Sequence, residues 1–380
     1  MKVAIYGGSF DPVHLEHKKI VEACKSELNV DKVIILPTYL PPHKKKSKTS
    51  YEDRINMLNI MFSDLDYVEI DNYELNSMHD INYAYVMLND LKEKYKDFVY
   101  VIGGDSFINL ESWYNYEGLL KEFELCVVKR NNVIFDYESK AEEYRKKYNA
   151  KITLLKHNGK DVSSSYITIS NYLYQDITEY VGKKVAEYIN AKKLYLSYDN
   201  FVQNIKNSVS DRLFKHIVNT TLCGIKINQF CNLNISTTRV FVACMLHDIA
   251  KEREDLKYGI PIQTINTSIY HQFYGERVAY YEYNIKDEMV LDAIKFHTTA
   301  KPEMSDLAKV VFLADKICEG RTHDGVEDIR QDLLNNGLDS AFNKCLFWSY
   351  DYLISKKASV YPLTKEAVMY YKENVWIHKN

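Results

Sequence analysis

The sequence predicts an α/β domain built on a parallel sheet, followed by an all-helical domain. Three observations carry this. The chain has 380 residues, too many for one typical domain and well suited to two. Its first half alternates short β-rich apolar runs with longer amphipathic stretches, whereas beyond about residue 193 helical periodicity continues with few strand candidates. Strands that are apolar throughout and separated by helices belong to a parallel sheet covered on both faces. Apolar residues make up 46% of the chain and charged residues 27%, proportions that fit a globular protein with real cores.

In chain order, VAIYGG (3–8), KVIILP (32–37), YVEID (67–71), FVYVIGG (98–104), FELCVVKR (123–130) and KITLLK (151–156) read as strands. Helical patterns lie between most of them, at 14–28, 51–62 and 84–95. The first domain is expected over 1–193 and a connector, LYLSYDN, over 194–200. The helical domain then fills 201–380, with helices expected at 211–225, 238–251, 287–299 and 306–318.

The net charge of −3 gives no reason to expect nucleic-acid or membrane binding. Seven cysteines without a C-x-x-C pair suggest neither a disulfide framework nor a thiolate zinc site, and a reduced, cytoplasmic compartment is expected. MKVAIYGGSFDP has too short an apolar stretch for a signal peptide. No run approaches the roughly 18 apolar residues that span a bilayer. The 32 tyrosines are spread over the whole chain and read as composition.

The stretch GGSFDPVHLEH (7–17) places a strand, the pair Gly7 and Gly8, and a helix expected to begin around Val13. Glycines let a ligand approach the backbone, and a helix N-terminus offers free N–H groups to phosphate. His14 and His17, three apart, share one helix face and could hold nucleotide phosphates. Spacing alone describes a solvated face equally well. The lysine cluster HKKKSK (43–48) is likewise either a solvated loop or a phosphate contact.

The whole string resembles the nucleotidyltransferase superfamily with an H-x-G-H or T-x-G-H motif, and in particular the nicotinate mononucleotide adenylyltransferases. PTYLPPHKK (37–45), YEDRINML (51–58), IGGDSFINLESWYNYEGLL (102–120), VSSS (162–165) and VGKKVAEYINAKKLY (181–195) extend the likeness through the first domain. The resemblance implies a Rossmann-like fold and Mg²⁺-dependent transfer of an adenylyl group from ATP to nicotinate mononucleotide. It places His14 and His17 in the catalytic role, on the ATP phosphates, with Lys44 or its neighbours above them. Gly7, Gly8, Ser9, Phe10, Gly103, Asp105, Arg130, Ser163 and Ser164 would bind nucleotide, and Trp113 would lie beside the pyridine. Three positions depart from the pattern. Glu16 replaces the motif glycine, and it either turns outward, weakens ATP binding or is offset by a metal. Ala84 and Val86 stand for Thr and Asp, and Thr168 for a phosphate-binding arginine. Another phosphate acceptor, such as phosphopantetheine, and a nucleotide sensor without turnover are the alternatives.

In the second domain His216, His247, His271 and His297 lie in otherwise apolar helical patterns, together with Asp248 and Asp315. Such groups are costly to bury without partners, and together they favour a shared cation. Nitrogen and oxygen donors without thiolate suit Fe, Mn or Zn. The order H…HD…H…H…D, with MLHDIAK (245–251), HQFYGERVA (271–279), AIKFHTT (293–299) and LADKICEGR (313–321), resembles the HD-domain phosphohydrolases. The likeness is greatest to the iron-binding symmetrical diadenosine-tetraphosphate hydrolases. That resemblance implies a binuclear centre. Asp248 would bridge the two metals, with His216, His247 and Asp315 on one and His271 and His297 on the other. Lys251 (a catalytic candidate) and Arg321 are phosphate binders or surface charges, and His323 is a solvated loop residue or a further phosphate contact. Cyclic dinucleotides and deoxynucleotides remain alternative substrates to diadenosine tetraphosphate. No nucleic-acid or membrane partner is expected, and homo-oligomerisation stays open.

Overall fold

The apolar runs of the first half pair, in a computed structural model, into a six-stranded parallel sheet of order β3-β2-β1-β4-β5-β6. The structure describes residues 1–39, 49–77, 83–129, 135–157, 162–196, 199–254, 257–259 and 269–377. The strands are β1 (Lys2–Gly8), β2 (Lys32–Pro37), β3 (Val68–Ile70), β4 (Asp97–Gly103), β5 (Glu124–Val128) and β6 (Lys151–Leu154). Each falls within a residue or two of its predicted run, except that β3 keeps only three residues at the sheet edge.

Side chains alternate between two cores. Ala4, Tyr6, Val33, Ile35, Val99 and Val101 pack on one face under the helices Leu15–Glu27, Tyr51–Met61 and Lys183–Ala191. Val3, Ile5, Ile34, Leu36, Tyr100 and Ile102 fill the other, under Ala84–Lys94, Tyr116–Glu122 and Tyr137–Tyr148. Sequence order reverses where β1 lies between β2 and β4. In such sheets the crevice beyond the carboxyl ends at that point is where ligands bind.

A buried cation fixes that crevice. Arg54 is 1% exposed, and its Nη1 donates to the Ser9 carbonyl at 2.8 Å and the Thr38 carbonyl at 2.7 Å. It therefore ties together the turns that leave β1 and β2. At the end of this unit Tyr195 is buried and donates to Asp11 Oδ1 at 2.8 Å, and a helix begins at Asp199. The chain divides into two compact units, Met1–Ser197 and Tyr198–Asn380.

The second unit is helical. Its helices are Asp199–Ser208, Asp211–Phe230, Thr237–Leu246, Tyr270–Tyr281, Glu288–Phe296, Asp306–Ile317, Val326–Ser355 and Pro362–Ile377. Ser210, Asp287 and Ser305 cap three of them by accepting a backbone N–H. Two helices end earlier than their apolar pattern, at Leu246 and Phe296, and His247 and His297 occupy the next positions. After Leu246 tighter i to i−3 bonds take over, from Ile249 N–H to Leu246 O and from Lys251 N–H to Asp248 O. Gly337, with φ of +80°, breaks the long helix Val326–Ser355. Among the described residues no helix is long and apolar enough to cross a membrane.

Replacing Arg54 with Met strands two part-buried carbonyls. It should destabilise the first unit by about 2–4 kcal/mol in denaturant unfolding, and a loss within experimental error would remove the clamp from this account.

Candidate functional site

At the end of β1, Gly7 and Gly8 are needed for close approach. A Cβ at Gly7 would stand 3.2 Å from the Tyr100 hydroxyl, and one at Gly8 would stand 3.1 Å from the Phe10 ring. Beyond them opens a cleft of about 280 Å³, lined among others by Gly7, Gly8, Ser9, Gly103, Ser106 and Trp113. His14 is the N-cap of the helix Leu15–Glu27, so that helix starts two residues later than predicted. The His14 and His17 rings are stacked with centroids 3.7 Å apart. The backbone N–H of His14 donates to His17 Nδ1 at 3.1 Å. Nδ1 of His17 is therefore an acceptor, and its ring proton sits on Nε2, where it can serve as a donor.

Phe10 differs from its expected role as a nucleotide contact. Its ring is 1% exposed and packs edge-on against Tyr6 and His17, so it supports a histidine from behind. Asp105 is exposed in the first turn of the short helix Gly104–Ile108 after β4. Trp113 lines the cleft beside Tyr83, Ala84 and Tyr114. Ser163 caps the helix Ser164–Tyr172 by accepting from Tyr166 N–H, and Ser164 Oγ donates to the Pro12 carbonyl at 2.9 Å. Thr168 is buried and donates to the Ser164 carbonyl, so it does not replace an arginine on a phosphate. Lys44, with the rest of HKKKSK, and Arg130 lie outside the described residues.

Glu16 is buried and paired. Its carboxylate is 6% exposed, with Oε1 2.5 Å from His157 Nε2 and Oε2 3.7 Å from Lys19 Nζ. His157 follows β6, and Glu27 accepts the backbone N–H groups of Lys156 and His157. Both carboxylates thus bind the helix Leu15–Glu27 to the strand end that precedes Ser163.

Sequence reasoning missed Glu74. It is buried in the cleft lining and accepts Tyr39 N–H at 2.7 Å. Burial raises its carboxyl to about 7, against the opposing effects of that N–H and of Arg54. No local pattern marks this residue, because only the crossover between β3 and the following helix brings it beneath the cleft.

In the second unit the six predicted ligands converge. His247 and Asp248 are fully buried, and His271, His297 and Asp315 nearly so. Asp248 Oδ2 lies 3.5 Å from both His216 Nε2 and His247 Nε2. Its Oδ1 lies 3.3 Å from His271 Nε2 and 3.4 Å from His297 Nε2. Asp315 Oδ1 stands 2.9 Å from His216 Nε2. One carboxylate therefore joins two donor groups, His216–His247–Asp248–Asp315 and Asp248–His271–His297.

The helix ends explain the orientation of two rings. His247 Nδ1 meets the Cys244 carbonyl at 2.6 Å, and His297 Nδ1 meets the Ile294 carbonyl at 2.7 Å. A carbonyl requires a donor, so each ring carries its proton on Nδ1 and turns the Nε2 lone pair inward, as a metal ligand must. His247 Nε2 and Asp248 Oδ1 are buried without a hydrogen-bond partner. Desolvation lowers His247 to about 4 and His271 to about 3. Burial opposes charge on His216 as well, but Asp315 and Cys318 outweigh it and lift the ring to about 9. Burial would raise the carboxyls of Asp248 and Asp315. Neighbouring imidazoles, and for Asp315 first Lys316, hold both well below their usual range. Orphaned inward-facing nitrogen and oxygen donors without thiolate fit a pair of divalent cations.

Three cations border the cluster. Lys251 Nζ is 2.7 Å from Asp248 Oδ2, Lys316 Nζ 2.6 Å from Asp315 Oδ2, and Arg321 Nη2 2.8 Å from Asp315 Oδ1. The sequence leaves Lys251 and Arg321 as phosphate binders or surface charges. Lys316 was not singled out, since a lysine following an aspartate carries no pattern of its own.

The two sites define the class, a nucleotidyltransferase unit joined to a histidine–aspartate metal-binding unit. The chain matches the Cytidylyltransferase-like family over residues 5–169 and the HD domain over residues 213–320. A protein of Endomicrobium trichonymphae named as a nicotinate-nucleotide adenylyltransferase is 34% identical over 197 residues, covering 51% of this chain and 98% of that one. One of Aliarcobacter butzleri with the same name is 40% identical over 133 residues, or 34% of this chain and 72% of the relative. The chain belongs to the nicotinate-nucleotide adenylyltransferase family and carries an HD domain behind the family's own. A Mycoplasma genitalium protein named nicotinate-nucleotide adenylyltransferase/Ap4A hydrolase is 27% identical over 326 residues, spanning 83% of this chain and 87% of that relative.

Two predictions follow from the first unit. Glu16→Gln, His157→Ala and the double variant should give a coupling energy of about 1–3 kcal/mol in unfolding experiments, and Glu16→Gly should leave ATP affinity no better. Tighter ATP binding in that variant would put the carboxylate back at the phosphates. For Glu74 the folded pKa lies above the unfolded value, so the native state holds its proton longer and stability falls as pH rises from about 4.5 to about 7. Glu74→Gln, which keeps an acceptor for Tyr39 N–H, should raise Tm more at about pH 8 than at about pH 5. An equal shift at both would rule out a titrating Glu74.

Proposed function

We propose that the first unit transfers the adenylyl group of Mg-ATP to nicotinate mononucleotide, releasing pyrophosphate and forming deamido-NAD. We propose that the second hydrolyses diadenosine tetraphosphate symmetrically to two ADP. The stacked His14–His17 pair at the N-terminus of the helix that follows the Gly7–Gly8 turn carries the first reading. An attacking 5′-phosphate oxygen forms a bond to the α-phosphorus as the bond to the β-phosphate oxygen breaks, with no protein nucleophile. The protein contributes position and charge stabilisation. His17 Nε2–H and the His14 ring act as donors to the ATP phosphates, supported by backbone groups of Gly7, Gly8 and Ser9. Gly103 and Asp105 border the nucleotide, the Ser163 and Ser164 turn meets phosphate, and Trp113 stacks beside the pyridine. The pairing of Glu16 with His157 removes one reason for reading this unit as a sensor.

For the second unit the carrying observation is that each oxygen of Asp248 faces a different imidazole pair. His216, His247 and Asp315 hold one divalent cation, His271 and His297 the other, and Asp248 both. Iron is the proposed metal, with manganese or zinc as the other candidates. Such a pair supplies Lewis acidity and an activated water for phosphate hydrolysis. Lys251, Lys316 and Arg321 offer positive charge to a polyphosphate, and the Nδ1 bonds of His247 and His297 keep the ligand rings from rotating. All seven cysteines are free, which supports a cytoplasmic setting.

Pyrophosphate release with nicotinate mononucleotide should fall about 10²–10³-fold in His14→Ala, and an unchanged rate would end that assignment. Protein loaded with iron or manganese should convert diadenosine tetraphosphate to ADP alone, and His247→Ala should abolish the conversion. Formation of AMP and ATP, or turnover of cyclic dinucleotides instead, would overturn the symmetrical reading.

A further inference from the structure

We propose that the loop after the helix Asp306–Ile317 and the facing surface of the helix Val326–Ser355 seat a purine base of the nucleotide whose phosphates meet the His/Asp cluster. This rests on the phosphohydrolase reading of the second unit and adds a base-binding subsite to it.

The loop Gly320–Gly325 has two differently directed side chains. Arg321 turns to the cluster, its Nε donating to the Asp315 carbonyl and its Nη2 to Asp315 Oδ1, both at 2.8 Å. His323, two residues on, lies against Trp348 with ring centroids 4.8 Å apart and planes 34° apart. Trp348 in turn stacks on Tyr352 at 5.9 Å and 17°. The loop is shaped to this indole. Gly325 has a φ of +88°, and a Cβ there would come within 2.6 Å of Trp348 Nε1.

Trp348 and Tyr352 alone would be an ordinary i, i+4 pair on a helix surface. The third ring is different, because it comes from the segment that also presents Arg321 to the metal ligands. His323 is exposed, and burial together with Arg321, Lys316 and Arg330 lowers its pKa, with Asp315 acting in the opposite sense. An imidazole backed by an indole thus stands on the same loop that presents Arg321 to the cluster. Flat aromatic faces bind nucleobases by stacking, while adjacent cations take the phosphates. A purine, with the larger π-surface, is the base such a row holds best. His323 was expected to be solvated or to touch phosphate, and the geometry gives it a stacking role instead.

The test uses the full chain loaded with manganese, with two measurements on wild type, His323→Ala, Trp348→Leu and Trp348→Phe. In the first, KM for diadenosine tetraphosphate should rise about tenfold in Trp348→Leu and several-fold in His323→Ala. Bound manganese and kcat should stay unchanged, and Trp348→Phe should stay near wild type. In the second, calorimetric affinity for ADP should fall by a similar factor in Trp348→Leu while affinity for inorganic pyrophosphate does not move. An equal loss for ADP and pyrophosphate, or no change in either variant, would overturn the base seat. If wild type fails to cleave diadenosine tetraphosphate, the assigned hydrolase substrate falls, and the ADP-to-pyrophosphate comparison still decides the subsite.

Discussion

A carboxylate removed from water must be compensated, and in the second unit everything turns on how Asp248 is compensated. Its oxygens are shared between two imidazole pairs, His216–His247 and His271–His297. Those rings come from different helices, so the charge on one side chain determines how the helices can pack. The helix ends at Leu246 and Phe296 follow from the same requirement. A histidine just beyond a helix can return its Nδ1 proton to a carbonyl of the last turn and turn its other nitrogen inward. Gln272 completes the arrangement. It is fully buried, accepts the N–H groups of Thr298 and Thr299, and donates to Thr299 Oγ1, which locks the turn after His297 against the helix that carries His271.

The first unit solves a related problem with smaller means. Among the described residues, the carboxyl end of its sheet shows no carboxylate shared between two histidine pairs. It relies instead on glycines that admit Tyr100 and Phe10, on a stacked histidine pair, and on Arg54 bound to two carbonyls. Two acidic groups close to this end are held by specific partners. Glu16 is paired with His157, and Glu74 is buried in the cleft lining against the Tyr39 N–H, with a carboxyl that burial makes reluctant to ionise. The Glu16 carboxylate, paired with His157 and Lys19, is thus already engaged at the start of the helix Leu15–Glu27.

Much of this was legible in the sequence, for identifiable reasons. The strands stood out because both faces of a parallel sheet are buried, which leaves uninterrupted apolar runs such as KVIILP. The ligand set stood out because His and Asp are rare within stretches such as VFLAD. What could not be read were properties set by three-dimensional neighbours. The direction of Glu16 depends on His157, 141 positions away. Phe10 looked like a ligand contact from its place in the motif, yet its ring fills the space behind His17. Helix ends at His247 and His297 were overrun because the apolar pattern continues through the ligands themselves. Arg54, inside YEDRINML, and Glu74 were not singled out, because their importance comes from burial.

If Asp248 is shared by two cations, as proposed, metal stoichiometry will show it. Purified full-length protein, loaded with manganese and freed of excess, would be assayed for bound metal by elemental analysis alongside Asp248→Ala and the His271→Ala/His297→Ala double variant. The account predicts two equivalents in wild type, one in the double variant and none retained in Asp248→Ala, with all three folded by circular dichroism. Two equivalents retained by Asp248→Ala would contradict it.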